Sequence, residues 1–89
     1  MALLERKVIV RNKQGLHARP AALFVQAANK FDSHITVSYG LEKVNGKSIM
    51  GILMLGAEQG AEISIEADGL DAENALAELE LLIAKEEDL

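Results

Sequence analysis

The chain has 89 residues, a net charge of −5, no cysteine and three aromatic residues. One domain of this length buries a modest apolar core but encloses no deep active-site cavity, and without cysteine it has no disulfide frame, thiolate nucleophile or Cys-based zinc site, so an intracellular, cytoplasmic setting is expected. The acidic balance offers no field to a phosphate backbone and three aromatics make no base-stacking platform, which argues against nucleic acid as a partner; no apolar run reaches membrane-spanning length, and the opening MALLERKVIV meets Glu5, Arg6 and Lys7 before it has the apolar core of a signal peptide.

Taken in order, the elements are short and alternating. Residues 7–11, KVIVR, read as a strand with Val8 and Val10 on one face and Lys7, Ile9 and Arg11 on the other. Residues 12–17 form a loop containing Gly15. The alanine-rich stretch from Ala18 to about Lys30 favours helix, and Phe24, Val25, Ala28 and Phe31 make its buried stripe. Pro20 fits only in the first turn, where its missing N–H removes no hydrogen bond, and this sets His17 at the helix N-terminus. Residues 34–38 alternate as a strand, Gly40 offers a turn, and residues 41–44 form a short hairpin partner ending at Asn45-Gly46. Ser48 can cap a short helix running to about Leu55 and closed by Gly56. Residues 61–67 form another strand with Ile63 and Ile65 inward. Asp71 can cap a last helix from Ala72 to about Lys85 that buries Leu76, Leu79, Leu82 and Ile83.

The order β-α-β-β-α-β-α, with strands polar on one face, describes an α+β open-faced β-sandwich: a four-stranded antiparallel sheet covered on one face by three helices, in a single domain over residues 1–89. A ferredoxin-like small-molecule-binding domain shares most of this order, so function has to come from the sites.

Two sites stand out. At the first, in KQGLHARPAA, the leading N–H groups of a helix lack internal partners and together carry roughly half a positive charge, which makes an anion site without any special loop. Arg19 adds a permanent cation with a fork of donors suited to phosphate oxygens, and His17 brings a nitrogen nucleophile. The combination suits a phosphoryl group held on histidine; the plainer alternative is a solvated loop histidine with Arg19 paired to a surface carboxylate. The second site is NGKSIMGILMLG, where a helix of one to two turns carries six large apolar residues. Ile52 and Leu55 share one side and Ile49, Met50 and Leu53 another. Either one set is exposed as a docking surface, with methionine adapting to more than one partner, or the segment is a wedge buried on both sides.

Over essentially its whole length the sequence resembles the histidine-containing phosphocarrier (HPr) family of the bacterial phosphoenolpyruvate-dependent sugar phosphotransferase system. The residues that carry the resemblance are Gly15-Leu16-His17-Ala18-Arg19-Pro20-Ala21-Ala22, then Asn45-Gly46-Lys47-Ser48-Ile49-Met50-Gly51, then Gln59-Gly60. The resemblance implies that His17 is phosphorylated on Nδ1 by phosphoenolpyruvate-charged enzyme I and passes the group to a histidine of a sugar-specific IIA component. It implies that Arg19 steadies the phosphoryl oxygens and Pro20 shapes the helix start. It implies a docking surface of Ala22, Gln26, Lys47, Ile49, Met50 and Leu53, and a monomer with no cofactor, no metal and no membrane insertion. His34 has no part in this motif and reads as a strand-edge surface residue.

The segment around Ser48 also looks like the version of the family in which this serine is phosphorylated by an HPr kinase/phosphorylase, with a catabolite regulator as a further partner. A phosphate there meets the positive end of the helix and changes the docking face without unfolding it. The plain reading is a helix cap. The alternative function is a regulatory paralogue, nitrogen-related or catabolite-control, that signals through protein contacts rather than feeding a transporter; one specialised for the serine signal alone is expected to lack the histidine. Gln14 lies where family members vary, so the resemblance assigns it no contact. The tail from Lys85 to Leu89 carries acidic residues that oppose a helix C-terminus, so it is expected to fray.

Overall fold

The computed structural model describes residues 2–85. Seven elements follow one another: β1 (Ala2–Ile9), α1 (Ala18–Ala28), β2 (His34–Tyr39), β3 (Glu42–Asn45), α2 (Ile49–Met54), β4 (Glu62–Gly69) and α3 (Ala72–Ala84). The strands form one antiparallel sheet in the order β1-β4-β2-β3, so the last strand in sequence lies inside the sheet and β1 and β3 are its edges.

Strand alternation builds the core. Ile63, Ile65 and Ala67 of β4 are buried, and the register sets Val8 opposite Ile63, Val37 opposite Ile65 and Ile35 opposite Ala67, so one face of the sheet is continuously apolar. Phe24 and Ala28 from α1, Ile52 from α2, and Leu76, Leu79 and Ile83 from α3 pack on that face. The other face is polar: the Ser64 hydroxyl donates to Glu5, and Lys43 pairs with Glu66 at 3.5 Å. This is the open-faced sandwich expected from the sequence. Among the described residues no helix is long and apolar enough to cross a membrane.

Several boundaries differ from the sequence reading. β1 begins five residues before residue 7, because Arg6 to Ala2 continue the ladder against Ile65 to Gly69; Glu5 and Arg6 obscure a strand that its neighbour defines. Val10 lies beyond the strand but still exchanges hydrogen bonds with the chain before β4, its N–H donating to the Ala61 carbonyl and its carbonyl accepting from Gly60 N–H, both at 2.8 Å. α1 stops at Ala28, and the N–H groups of Lys30 and Phe31 tighten onto the carbonyls of Ala27 and Ala28. Val25, Phe31 and Leu82, expected in the core, are half-buried at its margin. Gly40 and Leu41 are the two turn residues of the β2–β3 hairpin, with Gly40 at φ +61°, so β3 begins at Glu42.

Asp71 precedes α3 as expected but makes no side-chain capping bond to it. Its carboxylate accepts from the N–H groups of Asp32 (2.8 Å) and Ser33 (3.0 Å) and from the Ser33 hydroxyl, tying the α1–β2 connection to the head of α3. These bonds, that of the Ser33 hydroxyl foremost, hold the Asp71 carboxyl below the usual carboxylate range. The tail beyond Lys85, expected to fray, lies outside the described residues.

Candidate functional site

His17 is the N-cap of α1: its backbone is extended (φ −84°, ψ −171°) and its carbonyl accepts from Ala21 N–H at 3.0 Å, the first bond of the helix. Its side chain makes no capping bond. The ring is half-buried, with Nε2 inside and without a hydrogen-bond partner among the described residues. The N–H groups of Ala18 and Arg19 have no intrahelical acceptor and Pro20 has none to leave unpaired, so the positive end of an 11-residue helix opens beside the imidazole.

Arg19 is exposed and, among the described residues, makes no ion pair; the pairs formed are Arg6 with Glu80, Lys30 with Glu78 and Lys43 with Glu66. No carboxylate among the described residues occupies its guanidinium, whose fork of donors suits an anion. Pro20 is buried, its fixed φ serving the first turn. A nitrogen nucleophile, helix N–H donors and an exposed arginine thus share one helix end, an arrangement that can accept and hold a phosphoryl group.

The second predicted site is also a helix start. Ser48 is the N-cap of α2, its Oγ accepting from Gly51 N–H at 3.1 Å. Behind it, the Asn45 side chain accepts from Lys47 N–H at 2.9 Å and the Asn45 carbonyl from Ser48 N–H at 3.1 Å. The helical wheel resolves as a split: Ile52 is 1% exposed and Leu55 is buried, whereas Ile49 is 40% and Met50 63% exposed. Leu53 is half-buried against the core, and Met54, which the sequence reading did not assign, is exposed.

The remaining predicted docking residues are spread more widely. Ala22 is half-buried on α1, and Gln26 is exposed and lines a groove between α1 and α3 with Leu23, Lys30 and Glu78. Lys47 is half-buried, and its Nζ donates to the Phe31 carbonyl at 2.7 Å, joining the start of α2 to the end of α1. Sequence reasoning missed the contact behind the histidine, where Leu16 N–H donates to the Ala57 carbonyl at 2.9 Å. Only the glycine at position 15 hinted at a close approach.

Residues 4–85 match the family model described as the PTS HPr component phosphorylation site. The chain is similar to the phosphocarrier protein HPr of Bacillus anthracis (46% identity, 93% of this chain and 99% of that one, TM-score 0.89). It is also similar to HPr of Thermoanaerobacter tengcongensis (50% identity, 97% and 99%, TM-score 0.90). The Bacillus subtilis catabolite repression protein Crh, whose structure is described as an intertwined dimer with a swapping domain, aligns at 44% identity over 97% and 99% with a TM-score of 0.76.

Proposed function

The chain belongs to the HPr family of phosphotransferase-system proteins, and from that membership we propose that it is a phosphoryl relay, not an enzyme in its own right, with His17 as the carrier residue. The observation that carries this reading is the placing of His17 at the N-terminus of α1, with its Nε2 buried and with Arg19 two residues on making no ion pair among the described residues. In the proposed step, the lone pair of Nδ1 attacks the phosphorus of a phosphohistidine on phosphoenolpyruvate-charged enzyme I. The donor N–P bond breaks with its electron pair returning to the donor imidazole, and a new N–P bond forms on His17. The reverse geometry, with a IIA histidine as acceptor, passes the group on towards sugar uptake.

The site is sparse for a reason. A relay that stabilised its phosphohistidine strongly would raise the barrier to giving it up, so helix N–H groups and one arginine suffice while the partner completes the transfer geometry and excludes water. The exposed Ile49 and Met50 on α2 supply the docking face, and the carrier acts as a cytoplasmic monomer so that this face is open to successive partners. Phosphorylation of Ser48 would set a dianion at the head of α2 beside those residues, which favours the helix but adds a charge that an interface must desolvate. The similarity to Crh favours catabolite control as a second role for this serine, with a kinase/phosphorylase and a regulator as partners, while His17 keeps the chain in the carrier branch.

The test is intact mass after incubation with phosphoenolpyruvate and enzyme I, comparing the parent with His17→Ala. One acid-labile phosphoryl group on the parent and none on the variant is expected. A parent left unmodified by an enzyme I that charges another HPr would overturn the reading.

A further inference from the structure

Among the described residues the His17 side chain has no hydrogen bond: it makes no cap, and Nε2 is buried without a partner. With no such bond to hold it, the ring depends for its position on the packing around it and on where the main chain on either side sets its Cα. On the C-terminal side that is α1. On the N-terminal side it is a contact with a segment about forty residues away in sequence.

We propose that the carbonyl of Ala57 is the anchor that positions His17 for phosphoryl transfer, with Gly15 as the positioning residue whose missing side chain permits the contact; this rests on the carrier reading above. Leu16, immediately before His17, donates its N–H to that carbonyl at 2.9 Å. Leu16 and Ala57 are 6% and 3% exposed, so the bond is shielded from water and its loss leaves buried groups unpaired. Gly15 runs across the same carbonyl at φ +68°, and a Cβ there would lie 2.5 Å from Ala57 O and 2.8 Å from Glu58 Cα. Both are backbone atoms, which cannot rotate aside. From the other side, the buried Asn12 holds the loop, its carbonyl accepting from Gly15 N–H at 3.0 Å and its Oδ1 from Gln14 N–H at 2.9 Å.

Ala57 is also two residues past Leu55, the C-cap of α2. The helix that carries the exposed Ile49 and Met50 and the loop that carries His17 are thus braced on one stretch of backbone. A partner seated on α2 therefore meets the histidine at a fixed offset, and a shift in the end of α2 reaches His17 through a single hydrogen bond.

The experiment compares parent, Gly15→Ala and Gly40→Ala for His17 phosphorylation by enzyme I, alongside thermal unfolding. Gly40 is the control: it has φ +61°, so alanine there carries the same backbone strain, but a Cβ meets nothing within 4 Å. Both variants should lose stability. Only Gly15→Ala should lose transfer, with kcat lower by about ten- to a hundredfold and KM close to the parent's, because the reacting nitrogen is displaced while the docking face is intact. A Gly15→Ala protein that takes phosphate within twofold of Gly40→Ala overturns the anchor and leaves the carrier reading standing. A parent that takes none overturns the carrier reading, and the assigned role with it. Should Gly15→Ala fail to fold, a full-length chain with an ester in place of the Leu16 amide removes the donor without adding an atom. That chain should unfold cooperatively and transfer about tenfold more slowly, and an unchanged rate would refute the anchor.

Discussion

Replacing Ser48 by alanine removes one hydrogen bond whose effect can be worked from the structure. The hydroxyl accepts from Gly51 N–H at 3.1 Å, at the head of a helix of only six residues. So short a helix has no stability of its own and depends on its cap and on the burial of Ile52. Loss of a serine N-cap costs about 1 kcal/mol. For 89 residues, an unfolding entropy of about 2.1 cal/mol/K per residue gives about 190 cal/mol/K, so the midpoint should fall by about 5 °C. The assay is reversible thermal unfolding followed by circular dichroism, with Ser48→Asp and Ser48→Asn beside Ser48→Ala. The two capping variants should recover most of the loss, and Ser48→Asp should do so best at low salt because its charge meets the helix N-terminus. A midpoint unchanged in Ser48→Ala, or lowered equally in all three, would refute the argument that Oγ closes the helix.

Met50→Asp changes a residue that is 63% exposed, so stability should stay within about 0.5 kcal/mol of the parent while KM for phosphorylation by enzyme I rises about tenfold; an unchanged KM would remove α2 from the docking face. Asp71→Asn should alter the acid limb of stability. The folded carboxyl is lowered from its ordinary value of 3.8, so its contribution is complete above that value and is lost as pH falls through the lowered one. Urea midpoints from pH 7 to pH 2 should therefore fall less steeply below pH 3.8 in the variant, which starts lower at neutral pH; parallel curves would show that the tether to Ser33 contributes nothing.

The parts of the molecule that were legible in the sequence are those set by local physics. The alanine-rich run and the single proline located the start of α1 and so His17, and the two-sided wheel of residues 49–55 announced a short helix with two apolar sets while leaving open whether both are buried. Ser48 was readable as a cap because the residue that needs it is three positions away. The missing parts depend on distant residues. Asp71 has the side chain of a cap, but Asp32 and Ser33 compete for the same oxygens and win them. Lys47 is expected in the docking surface, yet its ammonium donates to the Phe31 carbonyl, a partner placed only by the packing of α1 beside α2. The Ala57 carbonyl carries no residue-type signal at all, since any residue supplies one.

The pairing of β1 with β4 has a consequence for synthesis. The β2–β3 hairpin can close on itself within ten residues, but β1 pairs with chain that lies from 53 residues further on (Ile9 with Glu62) to 67 (Ala2 with Gly69). During synthesis β1 is thus an orphan until β4 has been made, and closing so long a loop is the slow part of assembling such a sheet. During that wait Val8 has no Ile63 to cover it. Glu5 and Arg6, which hid the start of the strand from the sequence reading, and Lys7 give the unpaired segment the charge that discourages it from adding to another chain's sheet.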